Sequence, residues 1–307
     1  MSPFRFGLLG TGSTAGPGGW TAFARRVEDL GFAVLQVPQH FSVPSVPPLP
    51  ALALAAAATS RLVVGTLVLD NETTHPAVVA RDAAWLTTET GRRFELGIGA
   101  GWLAADHSML GRPFRPAGER VDRLAEALLL IRAVWSGQQS FTGTHYTLDG
   151  LPEGAATPVA PPLLVGGGGP RVLDLAARLA DIVGIAPDMR TGRIGRAAAR
   201  TTGRAPVAAK AARIREVAAD RGATVTLHMS ITGLYDRTDT ARIGRLADSF
   251  GVAAEQVPCL PGVLIGEPAE MADELRRRRA ETGVSYLTVN ESQLERMAPV
   301  VAELAGT

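Results

Sequence analysis

Short apolar runs alternate with amphipathic stretches along the whole chain. The runs Phe4–Leu9, Ala33–Val37, Leu62–Leu69, Phe94–Ile98, Pro161–Val165, Asp181–Ile185, Thr224–Ile231 and Ser285–Val289 are each too short for a helix. Runs of this kind read as strands buried on both faces, the pattern of a parallel sheet. Between them, Trp20–Leu30 is amphipathic and closed by Gly31, and Leu52–Thr59 is an Ala-rich helix. Ala77, Ala80, Ala84, Trp85 and Thr88 give a third helix its apolar stripe. Pro76 suits the first turn of that helix, where a missing N–H costs nothing, and Gly91 ends it. Further helices are expected over Arg120–Trp135, Val172–Leu179, Thr240–Phe250, Glu267–Thr282 and Leu294–Leu304. Eight strand–helix pairs with no internal repeat predict an α/β fold, a single (β/α)8 TIM barrel over residues 1–307. Insertions fall at roughly 138–150 and 188–206. In the first, Phe141, Tyr146 and Leu148 flank Gly143, which predicts a small β-hairpin before the fifth strand.

Composition narrows the class. At 307 residues and 46% apolar content the chain can bury one large core. Thirty-one basic and 30 acidic residues leave a net charge of +1, so bulk electrostatics give no reason to expect nucleic acid. A lone cysteine, Cys259, excludes an internal disulfide and a cysteine metal cluster. Leu49–Ala58, the longest apolar run, is too short to span a bilayer, and no secretory signal is evident. A soluble cytoplasmic protein is the expectation, with no metal and no membrane partner.

Candidate chemistry gathers at the C-terminal ends of the strands, where barrel enzymes place it. Gln39-His40-Phe41 follows the second strand, and Asp106-His107 follows Trp102 after the fourth. His40 is the stronger proton-transfer candidate; Asp106 either joins it or caps a short helix. The run Gly166-Gly167-Gly168-Gly169-Pro170-Arg171 links the fifth strand to a helix. Its glycines admit close approach of a ligand, and the helix start favours an anion such as a phosphate, with Arg171 as an added contact. GTGSTAG after the first strand lacks the spacing of a phosphate loop and reads as a turn at the barrel mouth. His228, inside the seventh strand, reads as a core or pocket-floor residue. Arg190–Arg215 carries eight basic residues and no acid, which suits either a solvated face or a site for an acidic ligand.

Gly65-Thr66-Leu67, His75-Pro76-Ala77 with Ala80, and Arg93-Phe94-Glu95-Leu96-Gly97-Ile98-Gly99-Ala100-Gly101-Trp102 resemble the luciferase-like monooxygenase superfamily. Their order and spacing are most similar to its coenzyme F420-dependent oxidoreductase branch, and the likeness extends from Phe4 to Val301. The resemblance implies a flavin-type cofactor in the barrel mouth, coenzyme F420 or alternatively FMN. It implies contacts from Gln39, Thr66, Leu67, Gly99, Trp102, Gly166, Gly167, Gly168, Gly169 and Arg171. It places a non-proline cis peptide at Thr66–Leu67, beneath the flavin ring. It assigns proton transfer to His40 and Asp106, a small-molecule substrate, and a possible homodimer. Gln39 stands where the family usually has an acid, and an amide cannot transfer a proton. An FMN-dependent monooxygenase and a cofactor-binding protein without turnover are the alternative readings.

Overall fold

A computed structural model describes residues 2–13, 19–155, 159–192 and 196–307, except the side chain of Arg196. Its strands are β1 (Arg5–Leu9), β2 (Val34–Val37), β3 (Val63–Thr66), β4 (Leu69–Asp70), β5 (Phe94–Gly99), β6 (Phe141–Thr142) and β7 (Thr147–Leu148). They continue with β8 (Leu163–Gly167), β9 (Ile182–Ile185), β10 (Thr226–Ile231), β11 (Gly233–Tyr235), β12 (Val263–Ile265) and β13 (Tyr286–Asn290). The hydrogen-bonded order β3-β2-β1-β13-β10-β9-β8-β5, closed by β3 against β5, is a parallel eight-stranded barrel. β4 is a two-residue continuation of β3 that pairs with β5. The helices are α1 (Gly19–Asp29), α2 (Pro48–Ala58), α3 (Pro76–Glu89), α4 (Ala104–Met109), α5 (Ala117–Trp135) and α6 (Pro170–Leu179). After them come α7 (Arg196–Ala199), α8 (Arg204–Ala219), α9 (Thr240–Phe250), α10 (Pro268–Thr282) and α11 (Leu294–Leu304). Among the described residues no helix is long and apolar enough to cross a membrane.

All eight expected strands form, and β6 pairs antiparallel with β7 as the expected hairpin. Glu126 of α5 fixes the hairpin turn by accepting the N–H groups of Thr144, His145 and Tyr146. α8 and the β11–β12 sheet are among the elements that were not expected. α8 fills the basic segment, burying Val207, Ala211, Ile214, Val217 and Ala218 in a stripe at helical spacing. β11 and β12 form a second small parallel sheet.

The barrel wall has two faces. Phe6, Leu8, Leu35, Val37, Phe94, Leu96, Ile98, Leu163 and Val165 join the main core shared with the helices. The alternate residues point inward and are not uniformly apolar. Arg5 donates to Glu95 at 2.8 Å, and the Tyr286 hydroxyl also donates to Glu95. Thr288 donates to Gln36 at 2.7 Å and lies 2.9 Å from His228 Nε2. This network satisfies the interior polar groups, as burial demands.

Nearer the mouth the inward positions are Gly97, Gly99, Gly166 and Gly184, and at Gly97 and Gly99 the neighbouring backbone and Val68 leave no room for a side chain. Gly97 is compulsory: any side chain there would overlap the carbonyl of Thr66. The Thr66 hydroxyl accepts from Gly97 N at 2.8 Å and donates to Gly97 O at 2.7 Å. A non-proline cis peptide joins Leu67 to Val68, one bond beyond the position implied by the resemblance. Val68 points inward, its methyls within 4 Å of where side chains on Gly97, Gly99 and Gly166 would begin.

Candidate active site

His40 and Asp106 meet at the mouth. His40 leaves the C-terminal end of β2, and Asp106 sits on α4, which follows β5. His40 Nδ1 lies 2.7 Å from one Asp106 oxygen. The other oxygen accepts from Phe41 N at 3.0 Å, Ser42 N at 2.6 Å and the Ser42 hydroxyl at 2.5 Å. Burial alone would raise the pKa of Asp106. The Ser42 hydroxyl, His40 and the two backbone N–H groups outweigh it and hold the pKa at about 2. An ionised carboxylate only accepts hydrogen bonds, so Nδ1 of His40 carries the proton that joins them. In the neutral imidazole Nε2 is then the free acceptor. Trp102 meets the His40 ring edge-on, with centroids 5.8 Å apart.

Other expected positions have different occupations. Gln39 accepts from Asp70 N at 2.9 Å and from the Thr73 hydroxyl at 3.2 Å, so its oxygen secures the turn after β4. Thr66 is fully buried, and its hydroxyl is committed to Gly97. Val68, two residues on, holds the inward place. Leu67 is partly buried and packs beside Val68 on the interior cluster. Gly99 accepts from Asn71 N at 3.0 Å and faces Val68. His107 Nε2 lies 3.3 Å from the Asp70 carboxylate, off the hydrogen-bonding direction. Burial pushes the pKa of Asp70 up, despite the Glu72 N–H that it accepts.

Gly166 to Gly169 run from β8 into α6, where Gly169 occupies the N-cap position and no side chain caps the helix. A side chain on Gly168 would overlap the Pro187–Asp188 backbone, whereas one on Gly169 would make only ordinary contacts with Asp188. Arg171 does not reach back to the glycine loop. It pairs with Asp122 at 2.5 Å on an exposed surface, because the first turn of α6 packs beside α5.

The basic segment is largely satisfied from within. Arg190 pairs with Asp188, Arg204 with Glu281, and Arg213 with Asp174 and Glu216. Lys210 donates to the carbonyls of Ala186 and Thr201, and Arg215 to that of Thr282. Arg193 lies outside the described residues. At the β1 end, the N–H groups of Thr11, Gly12 and Ser13 all turn to the Glu291 carboxylate, at 2.9, 3.0 and 3.0 Å. The hydroxyls of Thr11 and Ser13 join them. A carboxylate of the chain itself thus takes up the N–H groups of Thr11 to Ser13; the rest of GTGSTAG lies outside the described residues.

The sequence profile of the luciferase-like monooxygenases matches residues 1–286. The chain belongs to this family. Among luciferase-like relatives, the F420-dependent hydroxymycolic acid dehydrogenase of Mycobacterium tuberculosis is 30% identical over 82% of this chain and 75% of its own. The F420-dependent glucose-6-phosphate dehydrogenase of Beutenbergia cavernae is 32% identical over 58% of this chain. The chain spans 55% of the length of that relative. Among solved luciferase-like folds, an F420-dependent secondary alcohol dehydrogenase superposes with a TM-score of 0.79 at 18% identity, covering 98% of both chains. That likeness speaks for the barrel alone.

Ser42 and Val68 are residues of this site that sequence reading missed. Ser42 carries no signal, being one hydroxyl in a polar loop. Val68 could have been found by placing the cis bond one residue later.

Proposed function

We propose that this luciferase-like chain is a coenzyme F420-dependent oxidoreductase, with His40 as its proton-transfer residue. The observation that carries the reading is the His40–Asp106 pair at the mouth of a glycine-lined barrel interior. A flat ring lying over Val68 suits these glycines, since side chains on Gly97 or Gly99 would press on Val68. Val68 would lie beneath the ring. The backbone of Gly166–Gly169 and the uncapped start of α6 would hold the phosphate. The deazaflavin, when bound, supplies hydride chemistry, which leaves the protein to bind, orient and move protons.

His40 Nε2 is the basic atom available to a substrate hydroxyl. Asp106 holds Nδ1 protonated, orients the ring, and offsets the positive charge that the imidazole gains with the proton. Run in reverse, the imidazolium returns that proton to a carbonyl oxygen. Trp102 packs edge-on against the imidazole. Gln39 takes no part in proton transfer; its amide oxygen anchors the turn that follows the Val68 bulge.

The test has two parts. Fluorescence quenching should show coenzyme F420 binding at least about tenfold tighter than FMN or FAD, a margin of roughly 1.4 kcal/mol. Affinity for FMN with none for F420 overturns the proposal. His40→Ala should cut turnover by about 10²–10⁴-fold while leaving cofactor affinity within a few fold.

A further inference from the structure

Among the described residues, four of the eight exposed large apolar side chains lie beside the His40–Asp106 pair. Phe41 and Val43, each 46% exposed, are on the loop that follows His40. Met109 and Leu110, 67% and 38% exposed, end α4. The other four are spread over α2, α3 and α5. Asp106 ties the loop and the helix together by accepting from Phe41 N and Ser42 N. On α4, residues three and four apart share a face, so Met109 and Leu110 lie on the side from which Asp106 reaches the loop. Trp102 stands against His40 at the same place. Isolated apolar residues on a surface carry no message, but a group gathered around a polar reacting pair does. The pair supplies a point of polar recognition, and four exposed apolar side chains stand beside it, with Ser108 and Arg112 the exposed polar residues of the same stretch.

We propose that this rim seats the hydrocarbon body of the substrate. The substrate class is an alcohol or carbonyl compound whose oxygen meets His40 and whose extended apolar chain or ring system lies across Phe41, Val43, Trp102, Met109 and Leu110. The assignment rests on the reading of His40 as the group that meets the reacting oxygen. It goes beyond that reading in naming what the rest of the molecule must be. Continuity of the rim with the pair selects this occupant over a second copy of the chain, since an interface there would bury the proton-transfer residue.

The experiment is calorimetric titration of the series 2-butanone, 2-hexanone, 2-octanone and 2-decanone, with and without coenzyme F420. Kd is expected to fall about two- to fourfold for each methylene that the rim covers. The double variant Phe41→Ser with Met109→Gln is expected to flatten that dependence while F420 affinity stays unchanged. A parent series that is flat under both conditions overturns the proposal. So does a steep series that the double variant leaves unaltered. Loss of a dimer in the double variant, read by sedimentation with unchanged ketone affinity, assigns the rim to a second copy and also overturns it. Binding and redox chemistry separate cleanly here. Steep affinity without F420-dependent turnover of any member leaves the rim assignment standing and removes the oxidoreductase reading.

Discussion

His228 gives a test in which burial sets most of the outcome. It is almost wholly buried inside the barrel, 2.9 Å from the Thr288 hydroxyl and edge-on to Tyr286 at 4.8 Å. Burial, with a smaller push from Arg5, holds its pKa down at about 3 against an ordinary value of 6.5. The folded chain therefore keeps this imidazole neutral across a window in which the unfolded chain protonates it. Between pH 6.5 and 3 the unfolded state binds the extra proton, so stability falls as the pH falls. From pH 7 to pH 5 the loss from this one group is roughly 2 kcal/mol. With an unfolding entropy of about 2.1 cal/mol/K per residue, that is roughly 3 °C in Tm for a chain of this size. His228→Gln keeps a hydrogen-bonding partner for Thr288 but has no charge to gain. The assay is thermal unfolding of parent and variant at both pH values. The variant starts lower because its packing is poorer, and the other titrating groups cancel in the comparison. The parent should lose about 3 °C more than the variant on acidification. Equal losses would refute the reasoning, since the imidazole would then titrate alike in both states.

Two further outcomes follow from the mouth. Asp106, with a folded pKa of about 2 against 3.8, contributes stability that is present above pH 4 and is lost as the pH falls through 2. Asp106→Asn should therefore cost on the order of 2 kcal/mol near neutrality and flatten the acid limb of denaturant unfolding curves; an unchanged limb sinks the assignment. Gly169→Val should weaken F420 binding roughly tenfold or more with little change in Tm, whereas Gly168→Ala should lower both by displacing Pro187. Unaltered affinity in a folded Gly169→Val protein places the phosphate elsewhere.

The strands were legible because burial on both faces writes itself as consecutive apolar residues. The same rule hid the inner wall. Gln36, Glu95, His228 and Thr288 interrupt those runs singly, and only closure of the barrel makes them neighbours of one another. α8 was obscured because alanines form much of its buried stripe and arginines stand between them. His40 and Asp106 could each be named from their place after a strand. Their 2.7 Å contact could not, because 66 residues separate them and Ser42 decides how the carboxylate turns. The pairing of Arg171 was hidden for a related reason: adjacency to the glycine run says nothing of which way a long side chain leaves a helix. Its partner, Asp122, comes from a different helix 49 residues earlier.

The grip of Glu291 on the first loop sets an order of assembly. Thr11 and Glu291 are 280 residues apart, and the acid arrives on the segment that follows the closing strand. During synthesis β1 emerges well before Glu291, so three N–H groups and two hydroxyls of its loop are left to water until that acid arrives. The mouth is thus finished by the same event that seals the barrel.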